Sequence, residues 1–320
     1  MNTTTDPRSG HALPGQGSGV LITGSHRSGS TWVGRVMSRS NRLLYIREPF
    51  HLEHDPGICK ARFRHWFTYI TGENEDGYVN ALRDMVEMRY SWWRAFLHDP
   101  APARWRDKAR RYLVHRQARK QGVMPLVKDP LALFSTEWLA DPLGLRPIVL
   151  IRHPAAFAGS LKGKNWTHPF SHFLEQPLLM RDHLAPYEAE IRAFAEREHD
   201  IIDQAGLLWK LIHHMVAGYR ARHPEWAFVR HEDLSNDPLE GFSKLFQHVG
   251  VPFGEVEKQA VLDYSDNARK GPEGYVHEQL RRDSAANVHS WRTRLEPSEI
   301  YRLRRSVEEV SSLFYDDTEW

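Results

Sequence analysis

The segment GVLITG, Gly19 to Gly24, runs straight into SHRSGST. A short apolar run closed by glycine suits a strand buried on both faces of a parallel sheet. Gly24 and Gly29 then stand as the two glycines of the phosphate-loop spacing G-x-x-x-x-G-K-[ST], with Thr31 in its last place. Ser28 to Ser40 reads as a helix, with Trp32, Val33, Val36 and Met37 on one face. Strand, glycine-bounded turn and helix in this order bring backbone N–H groups and a helix N-terminus to one point, which makes an anion site. The hydroxyls of Ser28, Ser30 and Thr31 and the charge of Arg27 add to it. Ser30 occupies the place of the lysine that reaches nucleotide β/γ-phosphates, and Arg27 is the nearest cation.

Further strands are expected at LLYI (43–46), in MPLVKDP before Pro130, in RPIVLIRHP with Ile148 to Ile151 fully apolar, and in WAFVRHEDL, which runs on into a loop. Helices are expected around LALFSTEWLA, from Ala155 to Leu161, over 186–222 with an interruption near Gly206, in DPLEGFSKLFQHVG with a glycine stop, and in EPSEIYRLRRSVEEVSSLF, capped by Glu296 or Ser298. Residues 58–120 are dense in Arg, Trp, Tyr and His and read as several amphipathic helices, while GKNWTHPF is a loop and 264–290 is polar and irregular. Strands alternating with helices imply an α/β fold: a P-loop-type, three-layer architecture, with a mostly parallel central sheet flanked by helices and a helical insertion after the second strand. The expected organisation is a disordered lead over 1–18 and one domain over 19–320, with 51–124 as the insertion that shapes an acceptor site.

Composition excludes several classes. A net charge of +2 gives no global case for nucleic acid. No apolar run approaches a membrane span, and the first residues lack the basic start and apolar core of a secretory signal. Cys59 is the single cysteine, so no intrachain disulfide forms, and a cytoplasmic location fits. The histidines of HLEH (51–54) and of His213–His214 lack supporting ligand spacing, so no metal site is expected. The ATP or GTP reading lacks two parts: the loop lysine, and an acid to hold Mg²⁺ at the end of IVLI, where Arg152 stands instead. Arg152 leaves the C-terminal edge of the most apolar strand, where open α/β sheets bind ligands, and Ser160 follows on the next helix.

On these residues the chain resembles the sulfotransferases that use 3′-phosphoadenosine 5′-phosphosulfate, and in motif style the carbohydrate and tyrosylprotein members. HRSGSTW resembles the family's 5′-phosphosulfate loop, and VLIRHPAAFAGSLK its second signature, an arginine at a strand end with a serine eight residues on. VKDP (127–130), VRHEDLSNDPLEGFSKLFQHVGVPF (229–253) and SWRTRLEPSEI (290–300) follow in colinear order, over about residues 19 to 310. The resemblance implies that His26, Arg27, Ser28, Gly29, Ser30 and Thr31 hold the 5′-phosphosulfate and that Arg152 and Ser160 hold the 3′-phosphate. It implies that Trp291 and Arg292 belong to a loop that closes over the nucleotide, and that Lys128 stabilises charge on the transferred group together with Arg27. RKGPEG (269–274) matches a basic phosphate-binding loop only superficially.

Sulfuryl transfer to an alcohol or amine needs a base for the acceptor's proton. Glu48 of REPFH, at the end of the second strand on the same sheet edge as the loop, is the first candidate, and the family's glycan and tyrosylprotein members carry a glutamate in a similar place. His51, His54 and His26 remain alternatives. In the insertion, Trp66, Tyr69, Tyr90, Trp92 and Trp93 either stack on a sugar or aromatic acceptor or pack helices together. His51, Trp92 and Trp93 are the acceptor-binding candidates. The function expected is transfer of a sulfuryl group from 3′-phosphoadenosine 5′-phosphosulfate, without a metal, to a small-molecule or glycan acceptor, by in-line attack. The rivals are a P-loop small-molecule kinase using ATP and a non-catalytic nucleotide- or anion-binding protein.

Overall fold

Five segments extend as strands: β1 (Gly19–Gly24), β2 (Leu43–Arg47), β3 (Met124–Lys128), β4 (Leu145–Ile151) and β5 (Ala227–Arg230). The computed structural model describes residues 19–101, 104–265 and 288–320. The lead 1–18 and the basic loop Arg269 to Gly274 lie outside them. The strands form one sheet in the order β2-β3-β1-β4-β5, and every pairing is parallel.

Successive side chains of the central strands feed two separate cores, as a period of two requires. Val20, Ile22, Leu126, Ile148 and Leu150 face a core completed by α1 (Ser30–Met37) and the helices Pro238–Val249 and Glu255–Ser265. Leu21, Val127, Val149 and Ile151 face the other. That second core is completed by the helix Pro154–Lys162, the long helix Ile201–Arg222 and the C-terminal helix Pro297–Ser311. The molecule is therefore the three-layer α/β arrangement expected from the alternation of strands and helices.

Four expectations change in detail. First, α1 begins at Ser30 rather than Ser28, because Gly29 takes a left-handed conformation as its N-cap. Second, the long helix runs without a break through Gly206; the interruption lies earlier, where Arg197 is extended and the Asp200 carboxylate caps the helix through Ile202 N–H. Gly206 serves close packing instead, since a Cβ there would lie 2.7 Å from Ser306 Oγ on the C-terminal helix. Third, the chain after β5 turns at once into a helix, His231–Asn236. Fourth, the insertion carries three helices only from residue 79 onward: α2 (Val79–Val86), α3 (Trp92–His98) and α4 (Trp105–Lys120). Residues 51–74 run as turns and irregular chain. Their N–H groups go to side chains elsewhere: Trp66 to His172 Nδ1, Tyr69 to Gln176 Oε1 and Ile70 to Ser135 Oγ. Tertiary acceptors of this kind replace the i to i−4 bonds of a helix. Glu296 caps the C-terminal helix in a capping box with Glu299.

Candidate active site

Parallel register brings the chemistry to one edge. Ile22 pairs with Lys128, Arg47 with Lys128, Gly24 with Leu150 and Ile151 with Arg230. The residues that follow, Ser25, Glu48, Asp129, Arg152 and His231, therefore leave the sheet at the same C-terminal edge. Because α1 and the helix Pro154–Lys162 pack into opposite cores, the connections after the neighbouring strands β1 and β4 diverge. A crevice opens between them, at the point where ligands bind in open α/β sheets.

The loop from Ser25 to Gly29 forms one wall of this crevice. Arg27 has φ 64° and Gly29 φ 92°, and a Cβ at Gly29 would stand 2.6 Å from His231 Nδ1. The first helical bond of α1 runs from Val33 N–H to Gly29 C=O at 3.1 Å. The N–H groups of the preceding turn have no acceptor within the helix. Arg27 Nε donates to Ser160 Oγ at 2.9 Å, and Arg152 Nη1 donates to the Arg27 carbonyl. The two signature arginines are thus stitched across the β1–β4 crevice, and the Ser160 hydroxyl keeps its own proton to donate.

Ser25 Oγ, Ser28 Oγ and Arg152 Nε are among the polar atoms buried here without a hydrogen-bond partner among the described residues. A native interior rarely leaves such groups unpaired, and an ion or ligand is one standard explanation. Burial lowers the Arg152 pKa to about 10, the Glu232 carboxylate opposing the fall and Arg27 and Arg294 adding to it, so the guanidinium is charged at neutral pH. Glu232 itself accepts from His153 N–H at 3.1 Å and Tyr315 OH at 3.0 Å. Buried histidine His231, held near a pKa of about 3 by desolvation and Arg152, stays neutral beside the loop.

The opposite half of the edge is paired. Lys128 Nζ donates to Glu48 Oε1, and the lysine side chain is only 3% exposed against 22% for the glutamate. Burial pushes the Glu48 carboxyl up, but the attraction and hydrogen bond of Lys128, with Arg47 and His51, outweigh it and hold the pKa below the usual carboxylate value. Glu48 has φ 46°, a left-handed conformation that a non-glycine residue adopts only under constraint. The constraint is visible: Glu48 N–H donates to Lys128 C=O at 2.8 Å, and Phe50 N–H donates to Asp129 Oδ2 at 2.6 Å. Asp129 Oδ1 accepts from Leu131 N–H at 2.9 Å. Asp129 is therefore both the cap of the turn after β3 and a brace between the exits of β2 and β3. Burial raises its pKa to about 7 against the pull of those two donors.

The other expected site residues fall in different places. Ser30 and Thr31 stand in the first turn of α1, on the loop. His26 is buried beneath the loop, its ring against Phe157 (5.0 Å) and Phe67 (6.0 Å), and burial lowers its pKa to about 4. His51 lies next to the pair, its N–H on Glu48 C=O at 3.2 Å and its ring edge-on to Trp66 at 4.9 Å. His54 has both ring nitrogens against carbonyls, those of His51 (2.7 Å) and Cys59 (3.0 Å). Trp291 is 3% exposed and stacks on His153 at 5.2 Å, forming the floor behind Arg152, while Arg292 Nη2 donates to the Trp320 carbonyl at 3.3 Å. Trp92 and Trp93 are 56% and 50% exposed on α3.

Two contributors escaped the motif reading, His231 and Trp166. His231 closes over Gly29. Trp166, 48% exposed, lies with its ring 5.7 Å from the Arg27 guanidinium. Trp66, not Trp92 or Trp93, is the tryptophan that touches His51. Only His231 carried a signal, its position at the end of a strand on the binding edge.

No family model and no curated protein matches the chain. Among solved structures it is similar, at 15% identity and a TM-score of 0.49, to the "Sulfotransferase Domain from the Curacin Biosynthetic Pathway", over 93% of this chain and 98% of that one. It is similar at 17% identity and a TM-score of 0.48 to the "Sulfotransferase Domain from the Synechococcus PCC 7002 Olefin Synthase", over 93% and 94% of the two chains. With a sulfotransferase from Mycobacterium avium the identity is 16% and the TM-score 0.44, over 93% and 76%.

Proposed function

We propose that this protein is a sulfotransferase that takes its sulfuryl group from 3′-phosphoadenosine 5′-phosphosulfate and passes it to a hydroxyl or amine, with a carbohydrate or glycosylated metabolite as the favoured acceptor. The observation that carries the reading is the pairing of two unlike half-sites on one edge: a crevice of unpartnered donors beside a Glu48–Lys128 pair. The residues fit the donor. Ser28 Oγ and Arg152 Nε are the orphaned groups that its phosphate oxygens satisfy, and Gly29 allows no side chain between the loop and His231. When bound, the donor supplies an activated S–O bond whose cleavage leaves adenosine 3′,5′-bisphosphate.

In this reading the loop Arg27 to Thr31 binds the 5′ end, and Arg152 with the free proton of Ser160 binds the 3′-phosphate. Glu48 takes the acceptor's proton. Its lowered pKa keeps it ionised at neutral pH, and it becomes a stronger base once Lys128 turns from it toward the charge developing on the bridging oxygen. A Mg-nucleotide is disfavoured because Asp129, the acid on the strand beside β1, has both carboxylate oxygens engaged by backbone N–H groups. Arg152, not an acid, ends β4. Cys59 is buried, with its thiol pushed up to about 12, in keeping with a reducing, cytoplasmic setting. The test is transfer of ³⁵S from the labelled donor to a panel of alcohols, amines and glycosides, with EDTA present. Transfer to at least one acceptor supports the reading; phosphate transfer from ATP, or donor binding with no transfer to any acceptor, overturns it.

A further inference from the structure

The hairpin of α3 and α4 is set apart from the rest of the chain by charge and by exposure. Residues 92–120 hold nine Lys and Arg against two Asp, which leaves 34 cations against 39 acids in the remaining chain. Asp99 pairs with Arg104 and Lys108, and Asp55 with Arg111. Arg106, Arg110, Arg116, Arg119 and Lys120 are exposed and have no ion-pair partner among the described residues. The same hairpin carries six of the twelve exposed large apolar side chains among the described residues: Trp92, Trp93, Leu97, Trp105, Leu113 and Val114. Of α4's sixteen residues only His115 and Ala118 are buried, so this helix does little for the core.

Charge alone would suit any polyanion. Apolar side chains interspersed among arginines need an occupant with a hydrocarbon layer behind its anions. Tryptophan prefers the headgroup level of a bilayer, and basic segments are drawn to anionic lipid. Long arginine stems bury along apolar surface while their heads stay in contact with phosphate. Among the described residues no helix is long and apolar enough to cross a membrane, so the contact is peripheral. We propose that the α3–α4 hairpin docks this protein on the surface of an anionic phospholipid bilayer. The hairpin is tied to the body next to the site: Arg111 Nη1 donates to Asp55 at 2.7 Å, and Ser91 N–H to Gly57 C=O at 2.8 Å, on the chain that leaves Glu48.

The experiment is sedimentation of the full chain with vesicles of phosphatidylcholine alone and of phosphatidylcholine with about 30% phosphatidylglycerol, a composition that gives a surface potential of tens of millivolts. Binding is expected only to the anionic vesicles. Each arginine lost should lower partitioning about fivefold, so Arg106→Gln, Arg110→Gln and Arg116→Gln together should lower it about a hundredfold. Leu97→Ser with Leu113→Ser should lower it about tenfold or more. Both variants should keep wild-type melting temperature and affinity for adenosine 3′,5′-bisphosphate, which shows that they fold. Absence of binding to anionic vesicles overturns the proposal, as does unchanged binding by the arginine variant. Binding that is indifferent to the leucines and reproduced by heparin overturns it too, since that describes a soluble polyanion or acidic protein surface. None of these readouts depends on sulfuryl transfer.

Discussion

The two halves of the sheet edge differ in how their polar groups are satisfied. Between β1 and β4, Ser28 Oγ and Arg152 Nε are buried without partners among the described residues, and Arg27 and Arg152 lie together despite like charge. Between β2 and β3, Glu48 and Lys128 satisfy each other, and Asp129 engages two N–H groups. In the proposed function the first half takes an anion that comes from outside, and the second, paired at rest, opens when charge develops near it. A site divided this way separates affinity from rate: changes in the β1–β4 half should act on donor binding, and changes in the β2–β3 half on turnover.

Glu48→Gln should break the comparison most strongly. It removes the proton acceptor and keeps the shape, so turnover should fall about 10²–10⁴-fold while the bisphosphate dissociation constant moves less than about threefold. Steady-state kinetics with parallel calorimetry reads both, and unchanged turnover would remove Glu48 from the mechanism. Arg152→Ala should do the reverse: hydrogen bonds to charged groups are worth about 1.5–3 kcal/mol, so bisphosphate affinity should fall about 10–100-fold. An unaltered affinity would take Arg152 out of the crevice.

Asp129→Asn tests whether the β2–β3 half is held by its brace. The amide keeps one acceptor oxygen, so Phe50 N–H or Leu131 N–H loses its partner. Turnover should fall about tenfold with bisphosphate affinity intact, at a stability loss of about 1–3 kcal/mol. Equal losses in affinity and turnover would mean that Asp129 supports the whole edge and not one half of it.

Acid provides the smallest and most diagnostic contrast. His26, His153, His213 and His231 are buried, with pKa values lowered by desolvation to about 4, 3, 3 and 3. Each binds its proton more readily unfolded, so stability is complete above about pH 6.5 and falls below it, by up to about 1.4 kcal/mol per pH unit per histidine. Asp129, raised to about 7 by burial, works in the opposite direction over the same range, but these histidines, with His168 also held well below the usual value by burial, outnumber it. Glu48, with a lowered pKa, protonates only further down. Acid inactivation should therefore coincide with loss of near-UV circular dichroism and keep its midpoint in Glu48→Gln. An acid limb that precedes unfolding and disappears in that variant would contradict the assignment of the acid side to the histidines.

Much of the sheet was legible because each strand is a short apolar run ended by a glycine, a proline or a charge, and parallel register then places every strand-end residue on one edge. Gly29 and Glu48 were readable in place but not in conformation; their positive φ angles follow from contacts with His231 and Lys128 that are distant in sequence. Gly206 misled, because a glycine that admits a crossing helix looks the same in sequence as one that interrupts a helix. Residues 58–74, expected within amphipathic helices, run as irregular chain because backbone N–H groups there go to His172, Gln176 and Ser135, which composition does not reveal. The helices of the same insertion expose Trp92 and Trp93 on a basic surface, where an aromatic-rich sequence alone suggests an acceptor pocket.

Calorimetric titration with adenosine 3′,5′-bisphosphate and, separately, with ATP and Mg²⁺ tests most directly whether the β1–β4 crevice is built for the sulfotransferase donor. The bisphosphate should bind without added metal and at least about tenfold more tightly than Mg-ATP, an advantage of about 1.4 kcal/mol. Tighter binding of Mg-ATP, or no binding of the bisphosphate, would contradict the account.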